Sequence, residues 1–164
     1  MATMQKITSN LWFDSNAEEA VKFYATVFKN AEIGKISRYG KEGFEYHGKP
    51  EGTPMVIQFK IEGQWFSALN GGPQFKFNEA ISFIVNCDTQ EEIDYYWEKL
   101  SEGGDEKAQV CGWLKDKFGV SWQIVPTVLQ DLVTGSQKTV DKVMNELLRM
   151  KKLNIAKLQE AYNG

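Results

Sequence analysis

The side chains most often used for catalysis are scarce here. In 164 residues there is one histidine, His47, and there are two cysteines, Cys87 and Cys111. A serine or cysteine nucleophile needs a base beside it. The sole histidine sits in Tyr46-His47-Gly48-Lys49-Pro50, a loop composition in which it reads as solvent-facing. The two cysteines form neither a disulfide framework nor a zinc spacing. Cys87 closes an apolar strand pattern and reads as a small core residue. Glu45 and Asp116 are carboxylates that burial could turn into an acid or base, but no neighbouring residue marks them for that role. What remains is a set of hydrogen-bonding side chains spaced along apolar strands. Their use depends on the elements that carry them.

Those elements occur twice. Leu11-Trp12-Phe13-Asp14-Ser15-Asn16-Ala17-Glu18-Glu19 leads into Phe23-Tyr24, and Phe83-Ile84-Val85-Asn86-Cys87-Asp88-Thr89-Gln90-Glu91-Glu92 leads into Tyr95-Tyr96-Trp97. Each is an apolar strand, an aspartate, a capping box (Ser15 with Glu18, Thr89 with Glu92) and a helix with an aromatic pair. In the first unit, a strand over 7–14 precedes a helix from Asn16 to about Phe28. That helix places Ala17, Ala20, Val21, Tyr24, Val27 and Phe28 on one stripe. A strand over 31–39, a polar stretch over 40–52 and a hairpin of 54–62 with 64–70, turning at Glu62-Gly63, complete it. In the second unit, strands are expected over 80–85, 107–114 and 120–126, with Ile93, Tyr96, Trp97 and Leu100 as the helical stripe and Gly103-Gly104 as its stop. The reading is βαβββ twice, over 1–73 and 79–134, in one integrated domain. Over 137–152 the apolar positions Val140, Val143, Met144, Leu147, Leu148 and Met150 fit an amphipathic helix, and Asn154 can cap a second short one. This tail, 137–164, either seals a sheet edge within the chain or packs on a second copy.

Composition narrows the partners. With 42% apolar and 25% charged residues the chain is an ordinary globular protein, and its net charge of −3 offers nothing to a phosphate backbone, so nucleic acid is not expected. No apolar run approaches the ~18–20 residues that span a bilayer. The start, Met1-Ala2-Thr3-Met4-Gln5-Lys6, lacks the apolar stretch of a signal peptide, and a cytoplasmic location is expected.

Taken together, several segments resemble the vicinal oxygen chelate superfamily of glyoxalase I, extradiol dioxygenases and bleomycin-resistance proteins. They are similar above all to its PhnB-like branch, often labelled 3-demethylubiquinone-9 3-methyltransferase. They are Asn10-Leu11-Trp12-Phe13-Asp14, Glu18-Glu19-Ala20-Val21-Lys22-Phe23-Tyr24, Ala68-Leu69-Asn70-Gly71-Gly72-Pro73, Ala80-Ile81-Ser82-Phe83 and Val120-Ser121-Trp122-Gln123-Ile124-Val125-Pro126. The tail segment Met150-Lys151-Lys152-Leu153-Asn154-Ile155 is similar to that branch as well. The resemblance implies an α+β fold in which two βαβββ modules form a curved, mostly antiparallel mixed sheet around a cup-like cavity, with helices outside and C-terminal helices added.

In the metal-dependent members, His and Glu side chains hold a divalent ion in that cup. The matching positions here are Thr8, Ala68, Ala80 and Gln123, none an imidazole or a carboxylate, so the expectation is no metal site and no cofactor. The methyltransferase label implies S-adenosylmethionine, for which a glycine-rich turn between strand and helix is usual. Gly71-Gly72 leads into Pro73 without a helical pattern, and Gly103-Gly104 ends a helix.

Strand parity then gives the expected ligand-binding residues. Thr8, Asn10 and Trp12 point away from the first helix and toward the cup. Asn70 shares a face with Ala68 and Phe66, Ser82 with Ala80, and Ser121 with Gln123. Trp122, Trp97 and Tyr96 read as core; Trp65 and Trp113 are open to either use. Three functions compete: metal-free binding of a small molecule in the cup, an enzyme of this fold working without the family's metal or with one bound elsewhere (the methyltransferase label included), and a dimeric interaction module whose cup is closed. The missing ligands favour the first over the second. A homodimer is expected because the tail carries more apolar positions than one solvated helix needs.

Overall fold

The computed structural model describes residues 5–164. The chain is α+β and forms two compact units, one ending at Lys76 and the next beginning at Phe77. Each unit is built on its own small mixed sheet.

In the first unit the order is β1 (Ser9–Phe13), α1 (Ala17–Val27), β2 (Ala31–Arg38), α2 (Phe44–His47), β3 (Pro54–Ile61) and β4 (Gln64–Asn70). The sheet runs β1-β4-β3-β2, with β1 parallel to β4 and the other pairs antiparallel. Glu62 and Gly63 both have positive φ, 44° and 83°, which gives the hairpin turn a twist that matches the strands. The helical stripe lies where its spacing puts it: Ala17, Ala20, Val21, Tyr24, Val27 and Phe28 are all buried. Tyr24 stacks on Phe59 and Phe59 on Phe66, with centroids 6.1 and 5.2 Å apart. Burying each such ring contributes about 1.5–3 kcal/mol. Residues 44–47, expected in a loop, form one helical turn between the left-handed glycines Gly43 and Gly48.

In the second unit, β5 (Phe83–Cys87) and α3 (Gln90–Ser101) repeat the opening of the first. Thr89 Oγ1 accepts the Glu92 N–H at 3.2 Å as expected, while Glu92 Oε2 reaches one residue further back and accepts the Asp88 N–H at 2.7 Å in place of the Thr89 N–H. The sheet order is β5-β7-β6, with β7 (Ser121–Pro126) parallel to β5 and antiparallel to β6 (Trp113–Lys115). Most of the strand expected over 107–114 is absent. A 3₁₀ turn, Glu106–Ala108, stands there instead, capped by Asp105, and the chain reverses through Cys111 and Gly112 at φ 52° and 84°. That reversal brings Val110 back beside Trp113 as a single bridge, so Lys107-Ala108-Gln109-Val110 cannot run on as one strand with Trp113-Leu114. The described second sheet therefore has three strands against four in the first.

Three helices follow: α4 (Leu129–Leu132), α5 (Gln137–Leu147) and α6 (Ile155–Asn163). The first long tail helix stops at Leu147, short of the expected 152, and Asn154 Oδ1 caps α6 through the Lys157 N–H at 3.0 Å. Leu132, Val143, Leu147, Leu153 and Leu158 close a core against which Cys111, Val128, Leu129, Val133 and Met150 pack. Of the two expected uses of the tail, this unit shows packing within the chain. No helix among the described residues is long and apolar enough to cross a membrane.

Candidate functional site

The residues expected to line one surface lie on two faces. In the first unit the register pairs Asn10 with Ser67 and Trp12 with Leu69, while Leu11 and Phe13 pair with Ala68 and Asn70. Thr8 and Asn10 are exposed, and Asn10 Oδ1 accepts from Ser67 Oγ at 2.6 Å. The Trp12 indole donates to the Gly72 carbonyl at 2.9 Å and stands edge-on to Phe75 at 4.9 Å. Phe66 and Asn70 point the other way, 6% and 3% exposed, on the face that packs against α1. The expected parity of β4 is thus reversed relative to β1. The physical reason is Asn70. Its Oδ1 accepts the Ala17 N–H at 2.9 Å and its Nδ2 donates to Pro54 O at 3.0 Å, so the amide is spent inside the unit. Ser15 is not the cap of α1; its N-cap position is Asn16, which makes no side-chain cap bond.

Gly71-Gly72 serves that indole. A Cβ on Gly71 would collide with the Trp12 ring, so the glycine is what lets the ring lie against the backbone. Gly104 is held by a similar constraint, since a Cβ there would collide with the Lys115 carbonyl oxygen. Neither pair forms the strand-to-helix turn that a nucleotide cofactor needs.

In the second unit the parity holds. Trp122, Ile124 and Pro126 are buried with Leu114 and Cys87, while Ser121, Gln123 and Val125 share the opposite face with Asn86 and Trp113. Gln123 Nε2 donates to Ser82 Oγ at 2.9 Å. Ser121 is 2% exposed and its hydroxyl has no hydrogen-bond partner among the described residues. Further along the strand the face runs into a groove of about 450 Å³ lined by Asn86, Val125, Pro126, Thr127, Leu129, Gln130 and Val133. Of these only Val125 and Pro126 lie on a strand expected from the sequence; Asn86 falls one residue past the expected 80–85 because β5 runs on to Cys87, and nothing in the sequence marks α4 as a wall.

The reactive groups are accounted for elsewhere. Burial, then the charges of Glu92 and Asp88, push the Cys87 thiol up to about 12, so it is no nucleophile at neutral pH. Asp116 is 2% exposed and accepts from the Phe118 and Val120 N–H groups and the Trp122 indole at 2.9, 3.0 and 2.9 Å, which makes it the organiser of its own turn. His47 Nδ1 accepts the Lys49 N–H at 2.9 Å and its ring lies tilted at 33° against Tyr39, centroids 4.5 Å apart. For a divalent ion the donor set does not fit. Ala68 and Ala80 have no lone pair, Gln123 donates to Ser82, and among the described residues no three of His, Cys, Asp and Glu gather.

A helix packed on one face of a mixed sheet whose first strand runs parallel to its last defines the glyoxalase type of fold, that of the vicinal oxygen chelate superfamily. Solved structures agree. The PhnB protein from Bacillus cereus, which carries the 3-demethylubiquinone-9 3-methyltransferase label, is 38% identical over 75% of this chain and 100% of its own, with a TM-score of 0.65. The fosfomycin resistance protein FosX from Listeria monocytogenes (21% identity, 82% and 100% coverage, TM-score 0.50) and that from Mesorhizobium loti (14%, 81% and 99%, 0.52) share the fold. The family model of 3-demethylubiquinone-9 3-methyltransferase matches residues 5–125, and the chain belongs to that family. The match ends before α4, so the resemblance of the tail segment 150–155 lies outside it. No curated protein matches the chain.

Proposed function

We propose that this chain binds a small organic molecule, without a metal, on the sheet face opposite α3. The observation that carries this reading is the Ser121 hydroxyl, buried and unpartnered beside the Ser82–Gln123 pair on a face that opens into a groove. Leaving such a group unsatisfied costs ~1–3 kcal/mol, and a bound ligand is one way to recover it. Thr8, Asn10 and Trp12 are the ligand contacts proposed for the first unit, where they occupy the face opposite α1. Phe66 and Asn70 support that face from behind.

A ligand screen by thermal shift tests the reading. Gln123→Ala should remove the ligand-induced rise in melting temperature and barely change the melting temperature of the free protein. A structural role would do the reverse.

We also propose a homodimer. With the tail core satisfied within the chain, the surface left for a second copy includes Leu148, 63% exposed at the end of α5, and Met144, 36% exposed. Light scattering at micromolar concentration should give twice the chain mass, and Leu148→Glu should halve it. A single-chain mass for the parent protein would sink the dimer.

A further inference from the structure

The tail is gripped at four points. The Cys111 and Gly112 N–H groups donate to the Met150 and Lys151 carbonyls, both at 2.8 Å. The Gln90 amide holds the next turn from both sides, Nε2 on Leu153 O at 3.1 Å and Oε1 on the Ile155 N–H at 2.9 Å. Lys152 pairs with Asp94 at 2.6 Å. Leu153 is 1% exposed and lies so close to Gly112 that a Cβ there would sit 3.1 Å from its Cγ and Cδ1. Cys111 takes a left-handed conformation, φ 52°, that L-residues rarely adopt, and its N–H meets the Met150 carbonyl from there.

What this grip supports is α4. Leu129 and Val133 pack against the tail core and also line the groove. A single helical turn has no stability of its own, so the wall stands only where the tail core holds it. We infer that docking of the tail builds one wall of the groove, that ligand binding and tail docking are therefore coupled, and that the ligand is uncharged, largely apolar and carries one or two hydrogen-bonding groups. This rests on the proposed function above. The ligand class follows from the lining. It includes no charged side chain, its apolar share is Val125, Pro126, Leu129 and Val133, and the Thr127 hydroxyl is spent on Asp88 at 3.0 Å. The side-chain amides of Asn86 and Gln130, both exposed on the groove lining, each offer a donor and an acceptor. A volume of about 450 Å³ is within the range of small-molecule sites. The wall and the tail lie beyond residues 5–125, which the family model matches.

The probe is N-phenylnaphthylamine, an uncharged aromatic with one N–H, titrated by fluorescence into the 164-residue chain while tryptic cleavage at Arg149, Lys151 and Lys152 is timed. The probe should bind and slow that cleavage, because coupling is reciprocal. Leu153→Asp, which puts a carboxylate in an apolar socket, should speed the cleavage and weaken the probe by roughly tenfold or more. Val125→Arg should abolish binding and leave the tail protected. If Leu153→Asp does not fold, Gln90→Ala with Asp94→Ala should move both readouts the same way by a smaller factor. Unchanged probe affinity with the tail released would overturn the coupling, as would binding insensitive to Val125→Arg. Tighter binding of the anionic anilinonaphthalene sulfonate would overturn the ligand class. A Gln123-dependent ligand that ignores tail release would overturn this inference and leave the proposed function standing. No binding of either dye and no thermal shift in the screen would end both.

Discussion

The side-chain oxygen of Asn70, at the end of β4, accepts the N–H of Ala17 at 2.9 Å and so caps α1 from 53 residues away. Helix and sheet of the first unit are joined at this bond, and the Tyr39 hydroxyl adds a third element by donating to the Asn70 carbonyl at 2.8 Å. Asn70→Ala leaves the buried Ala17 N–H without its acceptor and removes the donor to the half-buried Pro54 carbonyl. The expected loss is about 2–4 kcal/mol in urea unfolding, from a missing cap and a lost hydrogen bond. Asn70→Asp keeps an acceptor at the helix N-terminus and should lose less. Equal losses for the two variants would show that the cap contributes little.

Cys87 gives a prediction in pH. Its folded value, about 12, lies above the ordinary 9. The thiol therefore contributes stability that is fully present below pH 9 and is lost as pH rises toward 12, up to roughly 4 kcal/mol at about 1.4 kcal/mol per unit. Native protein at pH 8 should show Cys87 inert to a thiol reagent on the timescale at which the half-buried Cys111 reacts. Fast modification of both, mapped by peptide mass, would contradict the burial.

Two glycines should separate cleanly. At Gly104 a Cβ meets the Lys115 carbonyl oxygen, a backbone atom that cannot swing aside, whereas at Gly40 nothing lies within 4 Å. Gly104→Ala should cost about 2 kcal/mol or more, since the end of α3 must move off β6. Gly40→Ala should be neutral or slightly stabilising, by up to roughly 1 kcal/mol, through the unfolded chain. Thermal melts of the two side by side decide it, and a similar shift for both would mean that the α3–β6 approach is slack.

Most of the frame was legible because it is written in local patterns. Apolar spacing found the buried stripe of α1, Thr89 and Glu92 announced α3, and Glu62-Gly63 announced a hairpin. What was not legible depends on partners far along the chain. Ser15 looked like a cap by spacing, but the place was taken by Asn70, and no local signal carries that exchange. The same exchange misplaced β4. An asparagine among aliphatics suggested a ligand-facing residue, when a helix N–H needed it on the buried side. The groove was invisible for another reason: α4 has too few residues to show a period, and Gln90, which grips the tail, is indistinguishable by sequence from any polar residue in a first helical turn.

The two units differ in when they can close. The first has every core partner in hand once β4 is made, and its parallel pair joins residues 9–13 to 66–70. The second needs Leu158, which completes a cluster begun at Leu132, and Gln90 waits for Leu153 and Ile155. During synthesis the earlier half can therefore be finished while the later half still exposes Leu132, Val143 and Leu147. That interval is the chain's most aggregation-prone moment. A delay or a cut in the last stretch would leave a folded half carrying an adhesive one, a fault that lies in timing and not in any contact.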